Sequence, residues 1–349
     1  MQHIIDKNNK DIQVSVYCLA YNHEKYIQKT LEGFVNQIAD FKFEVFVHDD
    51  ASTDHTPEII KRYADEYPDI IKPIFQQENQ FSKGVKICAT HIYPKMQGKY
   101  IASCEGDDYW IDPQKLQKQF DLMETHPECS LSVHKVLCCN EDGSSNAEII
   151  PGKQYRLTGS RVIKEQELAE CYWVRGAYPF HTSSYFYRRN IINVDLDYPR
   201  DIGTLRKCLI KGWVYYIDEP MSVRRLWSIG NWNSTINSKG VQGWYKLMLQ
   251  DNEAEERFDH YTNYKYHGFI EVNRLIRFIH YAQYGEYYDE IKQLLKKYNL
   301  SPWKVRKRIS AYMFFELQIK YWLAIYAPKF YFFIIKCWRF LCGCIQKMK

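Results

Sequence analysis

The segment FKFEVFVHDDASTD (residues 41–54) holds a strand, the turn that ends it and the start of a helix. Its aromatic and β-branched residues predict a buried strand that runs directly into Asp49 and Asp50. Ser52 or Asp54 can then cap the helix that follows. A strand, a polar turn and a helix in this order are typical of an α/β fold.

The same alternation continues on both sides of this segment. VSVYCLAYN (residues 14–22) predicts an earlier buried strand that ends at a turn-forming residue. DIIKPIFQQ (residues 69–77) and KYIASC (residues 99–104) predict a third and a fourth strand, with a helix over residues 83–96 between them. PFHTSSYFYRRNI (residues 179–191) also alternates as a strand does. We therefore predict an α/β fold with a Rossmann-like, mostly parallel central sheet and flanking helices.

Polar residues follow three of these strands at the point where each strand ends. Open parallel sheets bind ligands beyond the carboxyl ends of their strands, so we expect these residues to gather at one rim. Such residues also serve simply as turn formers and helix caps, and for any one group alone both interpretations stay open. The three groups are Tyr21, Asn22 and Glu24; Asp49 and Asp50; and Glu105, Asp107 and Asp108.

Charge is distributed unevenly along the chain. Of the 47 Lys and Arg residues, ten lie within residues 302–349, beside one of the 42 Asp and Glu residues. The rest of the chain is therefore mildly acidic, which argues against nucleic-acid binding and points to one specialised basic segment. The eleven cysteines form no CxxC pair, and the N-terminal residues contain no apolar signal segment, so we expect reduced thiols in a cytoplasm.

The sequence lacks the motifs that two other enzyme classes need. A dinucleotide-dependent oxidoreductase carries GxGxxG after its first strand, and a nucleotidyltransferase needs a glycine-rich, basic phosphate loop there. The corresponding LAYNHEKY (residues 19–26) contains no glycine. Both classes are therefore disfavoured.

Three blocks, VSVYCLAYN, FEVFVHDDASTD and GKYIASCEGDDYWIDPQKLQKQ, resemble in content and order the successive blocks of glycosyltransferase family 2. The resemblance covers residues 12–235. It implies a GT-A fold and transfer of a sugar, with inversion, from a UDP-sugar to a hydroxyl of a lipid-linked glycan in bacterial capsule or O-antigen synthesis. The alternative is a catalytically silent member of the same fold that binds glycans or acts as a scaffold.

The resemblance also implies roles for the residues at the rim. Asp50 resembles the residue that accepts a hydrogen bond from the uracil N3–H of a UDP donor. Tyr21 resembles the residue placed against the nucleobase or ribose, and Lys83 is a candidate nucleotide contact. The expected donor-binding set is completed by Asn22, Glu24 and Asp49.

The acidic turn EGDD (residues 105–108) resembles the diphosphate and metal site of the family. Asp107 and Asp108 are the expected ligands of Mn²⁺ or Mg²⁺, and Asp107 also belongs to the expected donor-binding set. Glu105 stands where many members have aspartate. A bound cation offsets the charge that builds on the leaving UDP.

The variable part of the sequence supplies the remaining expected residues. Asp201, before the helical segment IGTLRKCLIK, resembles the catalytic base, because inversion needs a carboxylate that takes the proton of the acceptor hydroxyl. An ordinary N-cap is the alternative. Arg224 or Arg225 is expected to contact the diphosphate. Trp227 belongs to the expected donor-binding set but stands where relatives often carry a histidine, and neither His181 nor another histidine offers a better substitute.

The sequence divides into a glycosyltransferase domain at residues 1–238, a helical extension at 239–300 and a basic, aromatic segment at 301–349. No apolar run in the last segment reaches the ~20 residues of a spanning helix. We expect residues 302–349 to lie on an anionic membrane surface, which places the protein peripherally on the inner face of the cytoplasmic membrane. Packing on the chain itself or on a partner subunit is the alternative.

Overall fold

The computed structural model describes residues 11–175, 178–196, 198, 202–226, 228, 236–282 and 286–326. Its chain divides into two compact units, each with an apolar core of its own. The predicted domain boundaries after residues 238 and 300 stay a prediction. The first unit comprises residues 1–168 and 178–238, and the second comprises residues 169–177 and 239–349.

The first unit is built on one mixed sheet with helices packed against it. Its strands are β1 (Ile12–Ala20), β2 (Lys42–Asp49), β3 (Ile71–Phe75), β4 (Tyr100–Ser103), β5 (Tyr109–Trp110), β6 (Cys129–Cys139), β7 (Ser145–Ile150), β8 (Arg161–Ile163), β9 (Phe186–Arg188) and β10 (Trp213–Arg225). Its helices are α1 (Ile27–Val35), α2 (Thr56–Glu66), α3 (Lys115–Thr125), α4 (Glu165–Ala169, at the boundary between the units) and α5 (Ile202–Lys211).

The order of the strands places the expected site residues side by side. Within the described residues the order is β3-β2-β1-β4-β9-β6-β10-β5, while β7 and β8 pair with β6 and β10. β1 is parallel to both β2 and β4, and β2 is parallel to β3, as the sequence predicts. β9 enters antiparallel between β4 and β6, so the sheet is parallel at one side and mixed beyond it. The α/β fold class is confirmed.

Helix α1 packs on the sheet because its apolar residues recur at helical spacing. Ile27, Leu31 and Phe34 are fully buried. Phe34 meets Trp110 of β5 edge-on, with the ring centroids 4.9 Å apart. Burial of a side chain of this size contributes about 1.5–3 kcal/mol. The contact therefore holds β5, and with it the acidic turn directly before β5, against α1.

The helix predicted over residues 83–96 is confirmed only in part, because the described residues form short 3₁₀ and π-helical turns there and no regular α-helix. Gly84 has a φ of 75° and turns the chain out of the helical path, and Pro94 cannot continue α-helical hydrogen bonding. The described elements are two short 3₁₀ turns on either side of a π-helical turn: Phe81–Lys83, Cys88–Ile92 and Tyr93–Lys95.

The strand predicted over residues 179–191 is confirmed only at β9. Thr182–Ser184 form a 3₁₀ turn before it. The Ser184 hydroxyl donates to the carbonyl of His181 at 2.6 Å, and the Ser184 amide donates to the same carbonyl at 2.9 Å. Serine side chains that bond to nearby backbone in this way compete with strand pairing.

The second unit is helical, which confirms the predicted C-terminal helical extension as an architecture. A π-helical turn at Glu170–Val174 belongs to this unit although the first unit resumes after it. Its core includes Val272, Phe278 and Ile291, which are all fully buried. The helices are α6 (Gly240–Tyr261), α7 (His267–Ala282), α8 (Tyr288–Lys297), α9 (Pro302–Val305) and α10 (Ala311–Tyr326).

Trp173 enters the core of the second unit from an earlier part of the chain. Its side chain is fully buried, stacks on Tyr266 with 5.4 Å between the ring centroids, and lies 5.6 Å from Phe258. Asn273 Nδ2 donates to the Trp173 carbonyl at 3.0 Å. Two separate segments of the chain thus form the second unit, residues 169–177 and the residues from 239 onward.

Helix α10 is the last element that the structure describes. Leu317 and Ala324 on one of its faces are buried in the core of the second unit. None of the helices in the described ranges is both long enough and apolar enough to cross a membrane. Residues 327–349 of the predicted membrane segment lie outside the described residues.

Candidate active site

The carboxyl ends of β1, β2 and β4 meet at one rim of the sheet. The amide of Asp50, directly after β2, donates to the Ala20 carbonyl at 3.0 Å. The amide of Gly106, in the acidic turn after β4, donates to the Leu19 carbonyl at 2.9 Å. These two bonds tie the ends of β2 and β4 to the end of β1. The structure therefore brings together the three groups of polar residues that the sequence singles out.

The loops after β1 and β2 interlock through their polar side chains. Asn22 Oδ1 accepts from the Thr53 amide at 2.8 Å, and Glu24 Oε2 accepts from the His55 amide at 3.1 Å. Asp49 accepts from both the hydroxyl and the amide of Ser52, at 2.5 and 3.1 Å. Asn22, Glu24 and Asp49 thus hold the loops that surround the rim, and their predicted contact with a donor stays a prediction.

Asp50 fastens a longer loop to the same rim. Its Oδ1 accepts from the Gln80 amide at 2.8 Å and its Oδ2 accepts from the Phe81 amide at 3.0 Å. The carboxylate is nearly buried, and each of its oxygens keeps a second lone pair for a ligand. Lys83 lies on this loop, exposed and paired with Glu78. Asp50 is therefore held in place by the backbone of this loop.

Tyr21, directly after β1, is a large aromatic side chain that is exposed at the rim. It is 39% exposed, whereas Tyr17 and Ala20 of β1 are buried. An aromatic ring exposed beside a fixed carboxylate has the features of a stacking surface for a nucleobase.

The acidic turn buries two neighbouring carboxyl groups. Asp107 Oδ2 accepts from the Ser228 hydroxyl at 2.5 Å, and Asp108 Oδ1 accepts from the Arg225 amide at 2.8 Å. The Thr30 hydroxyl of α1 lies 3.0 Å from the Gly106 carbonyl and 2.5 Å from the Asp108 carbonyl. Glu105 is only half-buried at the start of the turn. The backbone of the turn is thus held from α1 and its carboxylates from β10 and Ser228.

Burial raises the pKa of Asp108 well above its usual value, and the negative charge of Asp107 raises it further. The hydrogen bond from the Arg225 amide and the charge of Arg224 act in the opposite direction and do not cancel the effect. Two carboxyl groups held together out of water call for a positive charge beside them.

The structure separates the two arginines that the sequence leaves as alternatives. Arg225 is buried, donates through Nε to the Asp107 carbonyl at 3.2 Å and through Nη1 to the Glu141 carbonyl at 3.1 Å, and stacks its guanidinium over Tyr26. Arg224 is half-buried and adjacent to it. Arg225 therefore acts as a clamp on the acidic turn, and Arg224 is the better candidate for a diphosphate contact.

His181 lies beside the acidic turn, which the sequence does not indicate. Its Nδ1 is 3.6 Å from Asp108 Oδ2 and 3.0 Å from the Ser183 hydroxyl. Burial, together with the charge of Arg224, lowers the pKa of His181 to about 3, so the imidazole is neutral. The residue is 73 positions from Asp108 in the chain, and the antiparallel entry of β9 beside β4 brings the two together.

The acidic turn fits a divalent cation that a ligand helps to hold. Oδ1 of Asp107 and Oδ2 of Asp108 make no hydrogen bond with the described residues, and carboxylate oxygens are the ligands that Mg²⁺ and Mn²⁺ prefer. In the described part of the chain, no three His, Cys, Asp or Glu side chains converge closely enough to hold a metal by themselves. A cation held by these two carboxylates would have coordination positions left for water or phosphate oxygens.

Two predicted site residues, Asp201 and Trp227, lie outside the described residues. Helix α5 begins at Ile202, directly after Asp201, and Ser228 follows Trp227. Their roles as base and donor contact stay predictions.

The sequence profile of glycosyl transferase family 2 matches residues 15–188, which contain β1, β2, β4 and the acidic turn. The chain belongs to glycosyl transferase family 2. The match includes every rim residue described above except the two arginines and Ser228. Family 2 membership therefore rests on the strands and turns that form the rim.

Among the relatives, an uncharacterised protein of Mycobacterium tuberculosis (strain ATCC 25618 / H37Rv) is 34% identical over 229 residues, which are 65% of this chain and 62% of that protein. The UDP-Glc:alpha-D-GlcNAc-diphosphoundecaprenol beta-1,3-glucosyltransferase WfaP of Escherichia coli is 35% identical over 115 residues, which are 32% of this chain and 41% of WfaP. The chain thus spans less than two thirds of each relative.

Among solved structures, residues 1–349 of S. aureus TarS in complex with UDP share 19% sequence identity with this chain, with a TM-score of 0.51. The alignment covers 70% of this chain and 65% of that TarS chain. At this level of identity the likeness concerns the fold.

Proposed function

We propose that this protein is an inverting glycosyltransferase that moves a sugar from a UDP-sugar to a hydroxyl of a lipid-linked glycan during synthesis of a bacterial surface polysaccharide, such as a capsule or O-antigen. The observation that carries the proposal is the convergence of Tyr21, Asp50 and the Asp107–Asp108 pair at one rim of a family 2 sheet. An aromatic surface, a fixed hydrogen-bond acceptor and a buried acidic pair are the parts that a nucleotide diphosphate needs.

The donor side of the rim supports a uridine nucleotide. In our proposal the Asp50 carboxylate accepts from the uracil N3–H while it keeps its two bonds to the loop at Gln80 and Phe81. Tyr21 stacks against the base. The names of WfaP and of the TarS complex include a uridine nucleotide, which supports the same choice.

The acidic turn would hold the diphosphate through Mn²⁺ or Mg²⁺. Asp107 and Asp108 would supply carboxylate oxygens, and the cation, when bound, offsets the charge of the leaving UDP. Arg224 would contact the same phosphates directly. Arg225 and Ser228 keep the two carboxylates in position.

The reaction needs a base on the acceptor side, and we assign this role to Asp201. The carboxylate takes the proton of the acceptor hydroxyl, the oxygen forms a bond to the anomeric carbon, and the bond from that carbon to the UDP oxygen breaks. In-line attack inverts the anomeric centre, so an α-linked donor yields a β-linked product. A lipid-linked acceptor, which the name of WfaP also contains, would place the enzyme at the inner face of the cytoplasmic membrane.

The test is release of UDP, GDP or dTDP from a panel of nucleotide sugars, with and without Mn²⁺, with lipid-linked glycan as the acceptor. Metal-dependent turnover of one UDP-sugar is the expected result, and it would identify the donor. Calorimetry with UDP separates the other outcomes. Absence of both turnover and UDP binding would overturn the proposal in favour of a catalytically silent scaffold, whereas UDP binding without turnover would show that the acceptor is the wrong one.

A further inference from the structure

Helix α10 exposes a continuous apolar stripe. At 3.6 residues per turn, positions 315, 319, 322 and 326 fall within about 60° of one another around the helix axis. The side chains at these positions are Phe315, Ile319, Trp322 and Tyr326, which are 66%, 61%, 56% and 70% exposed.

The opposite face of the same helix already has a partner. Phe314, Leu317 and Ala324 are buried, and the latter two belong to the core of the second unit. A helix that is apolar on both faces is normally surrounded by apolar groups on both. Large exposed apolar patches on soluble domains mark interaction sites, so the stripe requires a partner that the unit itself does not supply.

A basic turn lies at the start of this stripe. Trp303, 64% exposed, packs against Phe314 with ring centroids 5.0 Å apart, and the Arg306 guanidinium stacks over both rings at 5.5 and 5.4 Å. Lys304 and Lys307 are exposed beside it. Arg306 thereby joins the positive charge of residues 304–308 to the aromatic end of α10.

The charges identify the partner. Residues 302–326 contain five basic residues, and their single acid, Glu316, is paired with Lys320. Residues 327–349, which lie outside the described ranges, add five basic residues and no acid in sequence. The aromatic and aliphatic side chains match the acyl boundary of an anionic bilayer, and the excess of basic side chains matches its headgroups.

We propose that the stripe of α10 and the basic turn at residues 304–308 dock this protein on an anionic lipid surface. Phe315, Ile319 and Trp322 enter the interface between headgroups and acyl chains, and Lys304 and Lys307 contact the headgroups. This proposal rests on the proposed function in one respect: a lipid-linked acceptor would lie in the same membrane surface. Docking itself requires no catalysis.

The experiment is sedimentation of the full chain with phosphatidylcholine vesicles that contain either no anionic lipid or about one third phosphatidylglycerol. The intact protein is expected to bind the anionic vesicles and to stay in solution with the neutral ones. The variant Phe315→Ser/Ile319→Ser/Trp322→Ser and the variant Lys304→Glu/Lys307→Glu are each expected to lower the partition coefficient about tenfold or more.

Matched controls are Ile38→Ser, which alters an exposed apolar residue of the first unit, and Lys246→Glu/Lys296→Glu, which reverses two exposed lysines on other helices of the second unit. All variants should keep the circular dichroism spectrum and UDP binding of the parent, which separates this test from that of the proposed function. Equal vesicle binding by parent and stripe variant would overturn the proposal. A parent dimer that the stripe variant converts to monomer would overturn it as well, because the stripe would then bind a second copy.

Discussion

At the scale of single residues, Asp107 and Asp108 differ in the groups that donate hydrogen bonds to them. Asp107 accepts a hydrogen bond from a side-chain hydroxyl, whereas Asp108 accepts one from a backbone amide. A hydroxyl can rotate to bond an asparagine at position 107, so this substitution needs no backbone movement. We predict that Asp107→Asn lowers UDP affinity in Mn²⁺ about tenfold or more, because one charged ligand is lost. Calorimetry with and without Mn²⁺ measures the effect. Asp142→Asn, in an exposed loop, is the control, and a variant that keeps the full Mn²⁺ effect would exclude Asp107 as a ligand.

Asp201 is tested by a change that removes a proton acceptor and keeps the shape. We predict that Asp201→Asn binds UDP as the parent does but loses transfer, because the acceptor hydroxyl has no base. Turnover and UDP calorimetry on the same sample separate the two effects. Transfer at the parental rate would show that the base is another residue.

Lys115 is a fully buried ammonium that the proposed reaction does not use. Its Nζ donates to Gln119 Oε1 at 2.7 Å and lies 4.1 Å from the Trp110 ring centroid. Burial lowers its pKa to about 7. In the unfolded chain the pKa is about 10.4, so between these values the unfolded state binds more protons and stability rises with pH.

We predict that this rise reaches ~1.4 kcal/mol per pH unit and is absent in Lys115→Met. Urea unfolding at pH 7, 8 and 9 gives the free energy of unfolding of each protein, and the parent should gain on the variant as pH increases. Lys25→Met, at an exposed position, should follow the parent. Parallel curves for parent and Lys115→Met would contradict the lowered pKa.

At the scale of elements, one buried network fixes the amino ends of three strands. The Ser15 hydroxyl of β1 donates to Glu44 Oε1 of β2 at 2.6 Å and accepts from the Gly98 amide before β4 at 2.8 Å. A methyl group on Gly98 would lie 2.4 Å from the Ser15 amide nitrogen. The close approach of the chain before β4 to β1 therefore depends on a glycine at this position.

We predict that Gly98→Ala destabilises the first unit by about 2 kcal/mol or more, because backbone rather than a side chain has to move. The free energy of unfolding, followed by circular dichroism, measures the loss. Gln97→Ala removes only an exposed side chain next to Gly98 and should change the stability little. Equal stability of Gly98→Ala and the parent would mean that β4 shifts freely.

Part of the arrangement of these elements could be predicted from the sequence. β1 and β2 follow from β-branched and aromatic runs that end at polar residues, and β4 follows from the short run KYIASC. Their shared edge follows from parallel pairing, so the rim could be predicted. The distinction between Arg224 and Arg225 could not, because it depends on which side of β10 faces Tyr26 and Glu141. The position of His181 beside Asp108 could not be predicted either, because it depends on β9 entering between β4 and β6. Gly84 and Pro94 prevent a regular α-helix in spite of the helical spacing of residues 83–96, and both residues are evident in the sequence.

At the scale of the whole molecule, the two units share one chain that passes between them three times. A fragment of residues 1–238 keeps Trp173 but lacks Phe258, Tyr266 and Asn273, against which it packs. We predict that this fragment aggregates or melts at a lower temperature than the full chain, because a large aromatic residue loses its burial. Trp173→Ser in the fragment should restore part of its solubility. A fragment as stable as the full chain would show that residues 169–177 contribute nothing to either unit.

The placement of Trp173 has a consequence during synthesis. Asn273, which holds the Trp173 carbonyl, is translated 100 residues after it. At about 5–20 residues per second, Trp173 leaves the ribosome on the order of 5–20 s before Asn273 does. For that interval the growing chain carries an uncovered tryptophan, which makes residues 169–177 a natural target for a chaperone that acts on nascent chains.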